Sequence, residues 1–265
     1  TYYFRALAFG VNGSSSGFNT TVSTVTRPAA PGVAGFQVYT TSISVTISPN
    51  NSAGTQISVT TGSFETTTSS AGTSAGAVMT LVLNNLAPNT SYFVQTRANG
   101  VTNSSASVVT ASTWTGPADP GSSSLVGVNA SSITITWATN GNPLTPPTSY
   151  LVQISSVSDF SNAMTSSVTF VTQVSTAGLN ANTSYFFRVQ AWGSVINSSS
   201  NFNATISTVT GSVAPGVVSF QVFNTSISAT IAPNGNAASA IVSITTSSFE
   251  TSASSSGVVG GANPV

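Results

Sequence analysis

Apolar and polar residues alternate over short stretches along the whole chain. The stretches ISVTI at residues 43–47 and ITITW at residues 133–137 follow this period of two, and residues 185–191 place aromatic and apolar side chains on one face. Successive side chains of a strand point to opposite faces of a sheet, so the pattern predicts antiparallel strands with one buried and one wet face. The stretches end at turn-forming clusters such as PNN at residues 49–51, and none keeps a helical period.

One pattern recurs at intervals of about 90 residues, the size of an Ig-like sandwich domain of about seven strands. It consists of a Thr-x-Thr segment followed by Ala, Pro and Gly, and its prolines are Pro31, Pro120 and Pro215. The intervals are 120 − 31 = 89 and 215 − 120 = 95 residues. The sequence therefore predicts an all-β protein of tandem antiparallel Ig-like β-sandwiches in a rod-like array.

A longer match distinguishes two types of unit. Residues 30–44 reappear with few changes at residues 214–228, and SFET at residues 63–66 reappears at residues 248–251, whereas the boundary near Pro120 differs. We interpret this as a unit of type A, then type B, then type A again. The predicted domains are the C-terminal strands of a partial sandwich over 1–27, complete domains over 28–115 and 116–211, and the N-terminal strands of a partial sandwich over 212–265.

Two segments that precede an aromatic strand carry a family resemblance. LAPNTSY at residues 86–92 and LNANTSY at residues 179–185 are similar to the Leu-to-Tyr corner before strand F of fibronectin type III domains. Trp137 and Tyr150 match the core aromatics of that family, although Ile47 stands in the type A unit where Trp137 stands in type B. The resemblance implies a repeat protein of a microbial cell surface or an extracellular fibre, with a spacer or binding role. The structural core residues that it implies are Leu86, Tyr92, Trp137, Tyr150, Leu179 and Tyr185.

Charged residues make up only 3% of the chain, against about 25% in an average soluble domain. There is no lysine, histidine or cysteine, and four arginines balance four carboxylates, so the formal net charge is zero. Nucleic-acid binding depends on neutralising phosphates, and four scattered arginines form no basic patch, so we expect no nucleic-acid partner. No apolar run approaches the roughly 18 residues of a membrane helix, so we expect no membrane insertion of this segment.

The side chains that general acid–base catalysis uses are almost absent. The four carboxylates belong to Glu65, Asp119, Asp159 and Glu250, and the two glutamates occupy the same position in two copies of the unit. A serine or threonine nucleophile would find no activating base, and calcium would require several converging carboxylates. We therefore expect no enzyme activity, no catalytic residue, no metal site and no cofactor.

Arg5 and Arg188 occupy the same place in two copies, on strands whose alternate residues are apolar. One interpretation is that both are solvated side chains on the wet face of a sheet. The other is that they pair with Glu65 or Glu250 of the same or a neighbouring copy, where ion pairs would set the register between subunits.

Asn-x-Ser/Thr triplets permit N-linked glycans on the exposed loops of a secreted protein. Many such triplets arise by chance in a chain this rich in Asn, Ser and Thr, and exposed Ser and Thr equally permit O-linked sugars. The candidate glycosylation sites are Asn12, Asn19, Asn50, Asn89, Asn103, Asn129, Asn182, Asn197, Asn203 and Asn224.

The near absence of charge favours association between copies of the chain. Soluble sandwiches blunt their edge strands with lysine, other charges and proline, and low charge favours association. We therefore predict a structural segment of an extracellular filament, fibre or surface layer that assembles with itself, head-to-tail or laterally. The alternative is a spacer or stalk of a surface adhesin or carbohydrate-binding protein whose tip lies outside this segment. Both predictions imply an extracellular or cell-surface location.

The partial domains at the two ends allow a specific form of self-association. The late strands over 1–27 of one copy would complete the early strands over 212–265 of the next, in an open head-to-tail polymer. The rival interpretation is a longer array in which both ends continue covalently. It accounts for the one strand that the composite domain would lack.

Overall fold

The protein, described by a computed structural model, consists of strands, turns and loops, with no helix among the described residues. The structure describes residues 1–62, 70–100, 103–144, 148–193, 198–232, 234–236, 241–244 and 255–258. The chain divides into two compact units, Thr1–Gly116 and Pro117–Val265.

The first unit contains a two-sheet sandwich preceded by a short ribbon of two strands. Its described strands, in chain order, are β1 (Tyr2–Phe4), β2 (Val22–Thr24), β3 (Gly32–Val38), β4 (Ile43–Ser48), β5 (Gln56–Thr60), β6 (Ser70–Thr73), β7 (Met79–Leu83), β8 (Ser91–Asn99) and β9 (Val108–Trp114). One sheet has the order β3-β4-β7 and the other the order β6-β5-β8-β9, with every pair antiparallel. Strands β1 and β2 pair antiparallel in the separate ribbon.

The core of the first unit lies between these two sheets. Strand β4 alternates buried and half-buried residues along its length, as the period of two in its sequence predicts. Each fully buried aliphatic side chain contributes roughly 1.5–3 kcal/mol, so the alternation is a main source of stability. The buried cluster consists of Ile43, Val45, Ile47, Ile57, Val59, Leu81, Leu83, Val94 and Ala98.

The second unit contains a sandwich with the same strand order, followed by four further strands. The described strands are β10 (Ser123–Val128), β11 (Ser132–Trp137), β12 (Ser149–Ser155), β13 (Met164–Thr169), β14 (Gln173–Ala177), β15 (Ser184–Trp192), β16 (Ser199–Phe202), β17 (Ile206–Val209), β18 (Gly216–Val222), β19 (Ile227–Ala232), β20 (Ile241–Ile244) and β21 (Ser255–Val258). One sheet has the order β10-β11-β14, and the other has the order β13-β12-β15-β16, with β17 also paired to β15. Strand β18 pairs with β19, and β20 pairs with β21.

Aromatic side chains fill the core of this second sandwich. The rings of Trp137 and Tyr150 meet edge-to-face, with their centroids 5.5 Å apart at an interplanar angle of 64°. Strand β15 alternates buried and less buried residues from Tyr185 to Ala191, again with the period of two. The buried cluster consists of Ile133, Ile135, Trp137, Tyr150, Val152, Ile154, Leu179, Tyr185, Phe187, Val189 and Ala191.

The ribbon of β1 and β2 leaves apolar side chains uncovered. Tyr2, Phe4 and Val22, which we call the head face, are 58%, 54% and 60% exposed. The residues at the corresponding places of β15, Tyr185 and Phe187, are 3% and 0% exposed. The same sequence pattern is therefore core in one place and surface in another.

The pair of β18 and β19 shows the same contrast. Val217, Phe220 and Ile227, which we call the tail face, are 54%, 64% and 59% exposed. In the first sandwich, Ile43 stands at the place of Ile227 and is fully buried, and Phe36 stands at the place of Phe220 and packs against the core.

The predicted fold class is confirmed, because the structure is all-β with antiparallel sheets packed as Ig-like sandwiches. The four predicted domain ranges stay predictions, since the two compact units do not separate the partial domains from the complete ones.

Candidate functional site

The Leu-to-Tyr segments form the same hydrogen-bonded corner in both sandwiches. The hydroxyl oxygen of Tyr92 accepts the backbone N–H of Ala87 at 2.8 Å, and that of Tyr185 accepts the backbone N–H of Asn180 at 3.0 Å. Leu179 and Tyr185 are buried, whereas Leu86 and Tyr92 are partly buried and pack against the first core. The corner fixes the chain where it enters the strand, which is a structural role.

The aromatic pair in the second core carries polar atoms that the fold leaves unpaired. Trp137 Nε1 and Tyr150 Oη are buried without a hydrogen-bond partner among the described residues. Burial also raises the pKa of the Tyr150 hydroxyl above its usual value, because the charged phenolate loses its hydration. Each unpaired polar group costs about 1–3 kcal/mol, which the surrounding apolar packing offsets.

Arg188 lies on the outer face of β15 and contacts two phenylalanine rings. Its guanidinium carbon is 4.1 Å from the ring centroid of Phe160 and 4.2 Å from that of Phe202. Its Nε donates a hydrogen bond to Gln153 Oε1 at 2.8 Å across the sheet. Arg188 is therefore a stacked, half-buried cation, and its described partners are aromatic rings and an amide oxygen.

Arg5, which directly follows β1, has a similar environment. Its guanidinium carbon is 3.9 Å from the ring centroid of Phe18. The two glutamates that the sequence offered as ion-pair partners, Glu65 and Glu250, lie outside the described residues. Ion pairs between copies therefore stay a prediction for Arg5 and Arg188.

Two of the candidate glycosylation sites are engaged inside the fold. Asn89 is 1% exposed, and Asn203 is 9% exposed. The Nδ2 of Asn203 donates to the carbonyl of Gly121 and to the hydroxyl of Ser123, both at 2.8 Å. An N-linked glycan is attached to this amide nitrogen, so the folded domain offers no room for a glycan at Asn203 or at the buried Asn89.

The other described triplets are more accessible. Asn182 is partly buried and has a positive φ of 49°, which asparagine tolerates better than most residues. Asn197 lies outside the described residues. The exposed candidates are Asn12, Asn19, Asn50, Asn103, Asn129 and Asn224, although the Nδ2 of Asn50 donates a hydrogen bond to the carbonyl of Ala30.

The two described carboxylates each accept hydrogen bonds from neighbouring polar groups. Asp119 Oδ1 accepts the backbone N–H of Asn201 at 2.8 Å. Asp159 accepts the backbone N–H and the hydroxyl of Ser161, and these hydrogen bonds lower the pKa of its carboxyl. Among the described residues, no three His, Cys, Asp or Glu side chains come close enough to hold a metal ion.

A shallow cleft of about 610 Å³ lies at one end of the first sandwich, between the loop after β4 and the loop before β7. Its lining contains only neutral residues, from Ser48 to Ser52 and from Gly76 to Val78. Asn50 and Asn51 already donate their side-chain amides to backbone carbonyls, so the cleft presents little free hydrogen-bonding capacity.

Those two asparagines belong to a set of turn residues whose backbone contacts were not predicted from the sequence. Asn50 and Asn51 grip the backbone at the start of the first sandwich, and equivalent asparagines follow β11 and β19. The signal in the sequence was a pair of asparagines, adjacent or two apart, at the end of each of these strands. The equivalent pairs are Asn140 with Asn142 and Asn234 with Asn236.

Over the part of the chain that the structure describes, no helix has the length and hydropathy to cross a bilayer. Comparison with known proteins gives one family match: residues 118–207 match the model of the fibronectin type III domain. No curated protein matches the chain. The matched range runs from before β10 into β17 of the second sandwich and includes Trp137, Tyr150 and the corner at Tyr185. The match to the fibronectin type III family thus rests on residues 118–207 of the 265-residue chain, and domains of that family are typically structural or binding modules.

Proposed function

We propose that this chain is a structural segment of tandem fibronectin type III-like repeats in an extracellular filament, fibre or surface layer of a microbial cell, and that it assembles with copies of itself. The observation that carries the proposal is the pair of uncovered apolar faces. The head face and the tail face are more than half exposed, while residues at corresponding places of the complete sandwiches are buried in the cores or packed against them.

The complete sandwiches indicate what such faces pack against. In the first sandwich, Ile43 of β4 shares its core with Val94 of β8, a strand of the opposite sheet. The tail face corresponds to the β3–β4 side of that sandwich, and the head face corresponds to the opposite side. We therefore propose that the head face of one copy covers the tail face of another.

The composition supports the same proposal. With 3% charged residues and no lysine, the edge strands carry little of the charge that keeps natural sandwiches apart. Edge strands such as β13 expose apolar residues instead, including Met164 at 52% and Val168 at 57%. Lateral pairing along such edges would add to the head-to-tail contact, and glycans on the exposed asparagines would cover part of the remaining surface.

The test is light scattering and negative-stain electron microscopy of the 265-residue chain from low to high concentration. We expect filaments with a regular repeat, formed with little dependence on salt because few charges are involved. The variant Phe220→Asp places a charge on the tail face and should suppress them. The matched control is Phe93→Asp, at a side chain that is 62% exposed on β8 of the complete sandwich, and it should assemble normally.

A chain that stays monomeric at high concentration would refute self-assembly through these faces. It would favour the second candidate, a spacer or stalk of a surface adhesin or carbohydrate-binding protein. The observation on its side is the fibronectin type III match, since that module commonly serves as a spacer.

A further inference from the structure

Three segments of the chain that lead into a first strand are gripped by an asparagine side chain in the same way. Asn142 Oδ1 accepts the backbone N–H of Ala118 at 2.9 Å, and its Nδ2 donates to the carbonyl of the same residue at 2.8 Å. Asn51 does the same to Ala29, with both distances 2.9 Å. Asn236 makes the same two hydrogen bonds with the backbone of Val213, accepting at 2.9 Å and donating at 2.8 Å. An asparagine amide carries one acceptor and one donor group, so it can bond a residue's backbone as a neighbouring strand would.

We call this pair of hydrogen bonds from one asparagine side chain to one backbone residue a clamp. A second asparagine extends each clamp by one residue. Asn140 donates its Nδ2 to the carbonyl of Asp119 at 3.0 Å, and Asn50 and Asn234 bond the corresponding carbonyls at 3.1 and 2.9 Å. All three have φ of 52–53°, a left-handed conformation that asparagine adopts at lower cost than most residues. The clamp therefore depends on asparagine both for its amide and for its backbone.

The residue just before the clamped segment is bonded to the preceding sandwich. Gly116 donates its N–H to the carbonyl of Tyr39 and accepts the N–H of Asn89, at 3.1 and 3.0 Å. These bonds hold the peptide plane after Gly116 in the first unit. The Asn142 clamp holds the peptide plane before Ala118 in the second unit. Only Pro117 lies between the two planes.

Proline has its φ fixed near −65° by its ring, and peptide planes are rigid. We propose that the covalent joint at Pro117 turns about a single backbone torsion, the ψ of Pro117. The Asn142 clamp fixes the backbone torsions that follow, because it holds Ala118 by two hydrogen bonds. The joint between Gly211 and Val213 has the same bonds on both sides, with Ser212 between them, and so keeps two torsions. The inference concerns the joint itself and holds whether or not the chain assembles.

The test measures the distance distribution between two spin labels, one in each unit. The chain has no cysteine, so Thr80→Cys and Ala177→Cys create the only labelling sites, both on exposed strand residues. Labelled chain is diluted into unlabelled chain, so that distances within one molecule dominate even if it assembles. We expect a narrow distribution that becomes about twofold wider in Asn142→Ala, as the clamped residues regain their torsions.

Two further variants keep the test decisive. Pro117→Gly leaves both sets of hydrogen bonds and frees φ, so it should widen the distribution even if Asn142→Ala fails to fold. Asn162→Ala removes an exposed asparagine of another loop and should change nothing. The proposal is overturned if the distance distribution of the unmodified chain is as broad as that of a chain with four Gly/Ser residues inserted after Pro117. It is equally overturned if folded Asn142→Ala or Pro117→Gly gives a distance distribution as narrow as that of the unmodified chain.

Discussion

Arg188 shows how a nearly uncharged chain accommodates a cation. Its planar guanidinium lies over the rings of Phe160 and Phe202, a contact that a lysine ammonium would make less well. The sequence suggested a solvated arginine or an ion pair, and neither interpretation contained these rings. Phe160 and Phe202 are 28 and 14 residues away along the chain (188 − 160 and 202 − 188), so only the folded chain brings both rings within 4.2 Å of the guanidinium carbon.

We expect Arg188→Gln to lower the free energy of unfolding of the second sandwich by about 1–3 kcal/mol, because two cation–π contacts and one hydrogen bond are lost. Glutamine is the residue at the corresponding place of the first sandwich, Gln95, so the strand tolerates it. Urea denaturation followed by tryptophan fluorescence measures the change. In the background Phe202→Leu the same substitution should cost less, and an equal cost in both backgrounds would show that this ring does not hold the arginine.

At the scale of strands, the first strands of the three units can be compared within one chain by the position of their β-bulge. The bulge in β3 lies between Val33 and Gly35, and the bulge in β18 lies at the same place, between Val217 and Ser219. In β10 the bulge falls three residues later relative to the preceding proline. The pattern of A and B types in the sequence thus corresponds to a local difference in backbone.

The corresponding phenylalanines Phe187 and Phe4 allow a matched experiment on burial. Phe187 is fully buried, so Phe187→Ala should cost about 3–5 kcal/mol through lost burial and a cavity. Phe4 is 54% exposed, and Phe4→Ala should stay within about 0.5 kcal/mol in the monomer. Urea denaturation at low protein concentration, where the chain is monomeric, gives both changes in the free energy of unfolding. A large loss for Phe4→Ala under those conditions would mean that the head face is already covered in the free chain.

At the scale of the whole molecule, the absence of histidine and cysteine removes the side chains that ordinarily titrate between about pH 6 and 9. The carboxyl of Asp159 has a lowered pKa, so any stability it contributes is present above its unfolded pKa and lost as the pH falls through the folded one. The hydroxyl of Tyr150 has a raised pKa, so its contribution is complete below the unfolded pKa and is lost as the pH rises through the folded one.

We therefore expect the melting temperature to stay nearly constant from about pH 5.5 to 9 and to fall above about pH 10. Differential scanning calorimetry across this range tests the expectation. The variant Tyr150→Phe should be less sensitive to alkaline pH, since the buried hydroxyl that must ionise on unfolding is gone. A transition near pH 6–7 in the unmodified chain would contradict the argument, because no side chain is available to cause it.

The sequence by itself determined the fold class, because a period of two and regular turn clusters are local properties that each strand carries alone. It also indicated the aromatic corner, through the spacing of Leu and Tyr, and identified Trp137 and Tyr150 as core residues through their resemblance to a family. The tertiary structure decided what depends on residues far apart in the chain: which of two matching aromatic strands is covered, which asparagines are buried, and what surrounds Arg188. It also decided that Asn51, Asn142 and Asn236 act as clamps, since a side-chain amide takes its role from the backbone that folding brings beside it.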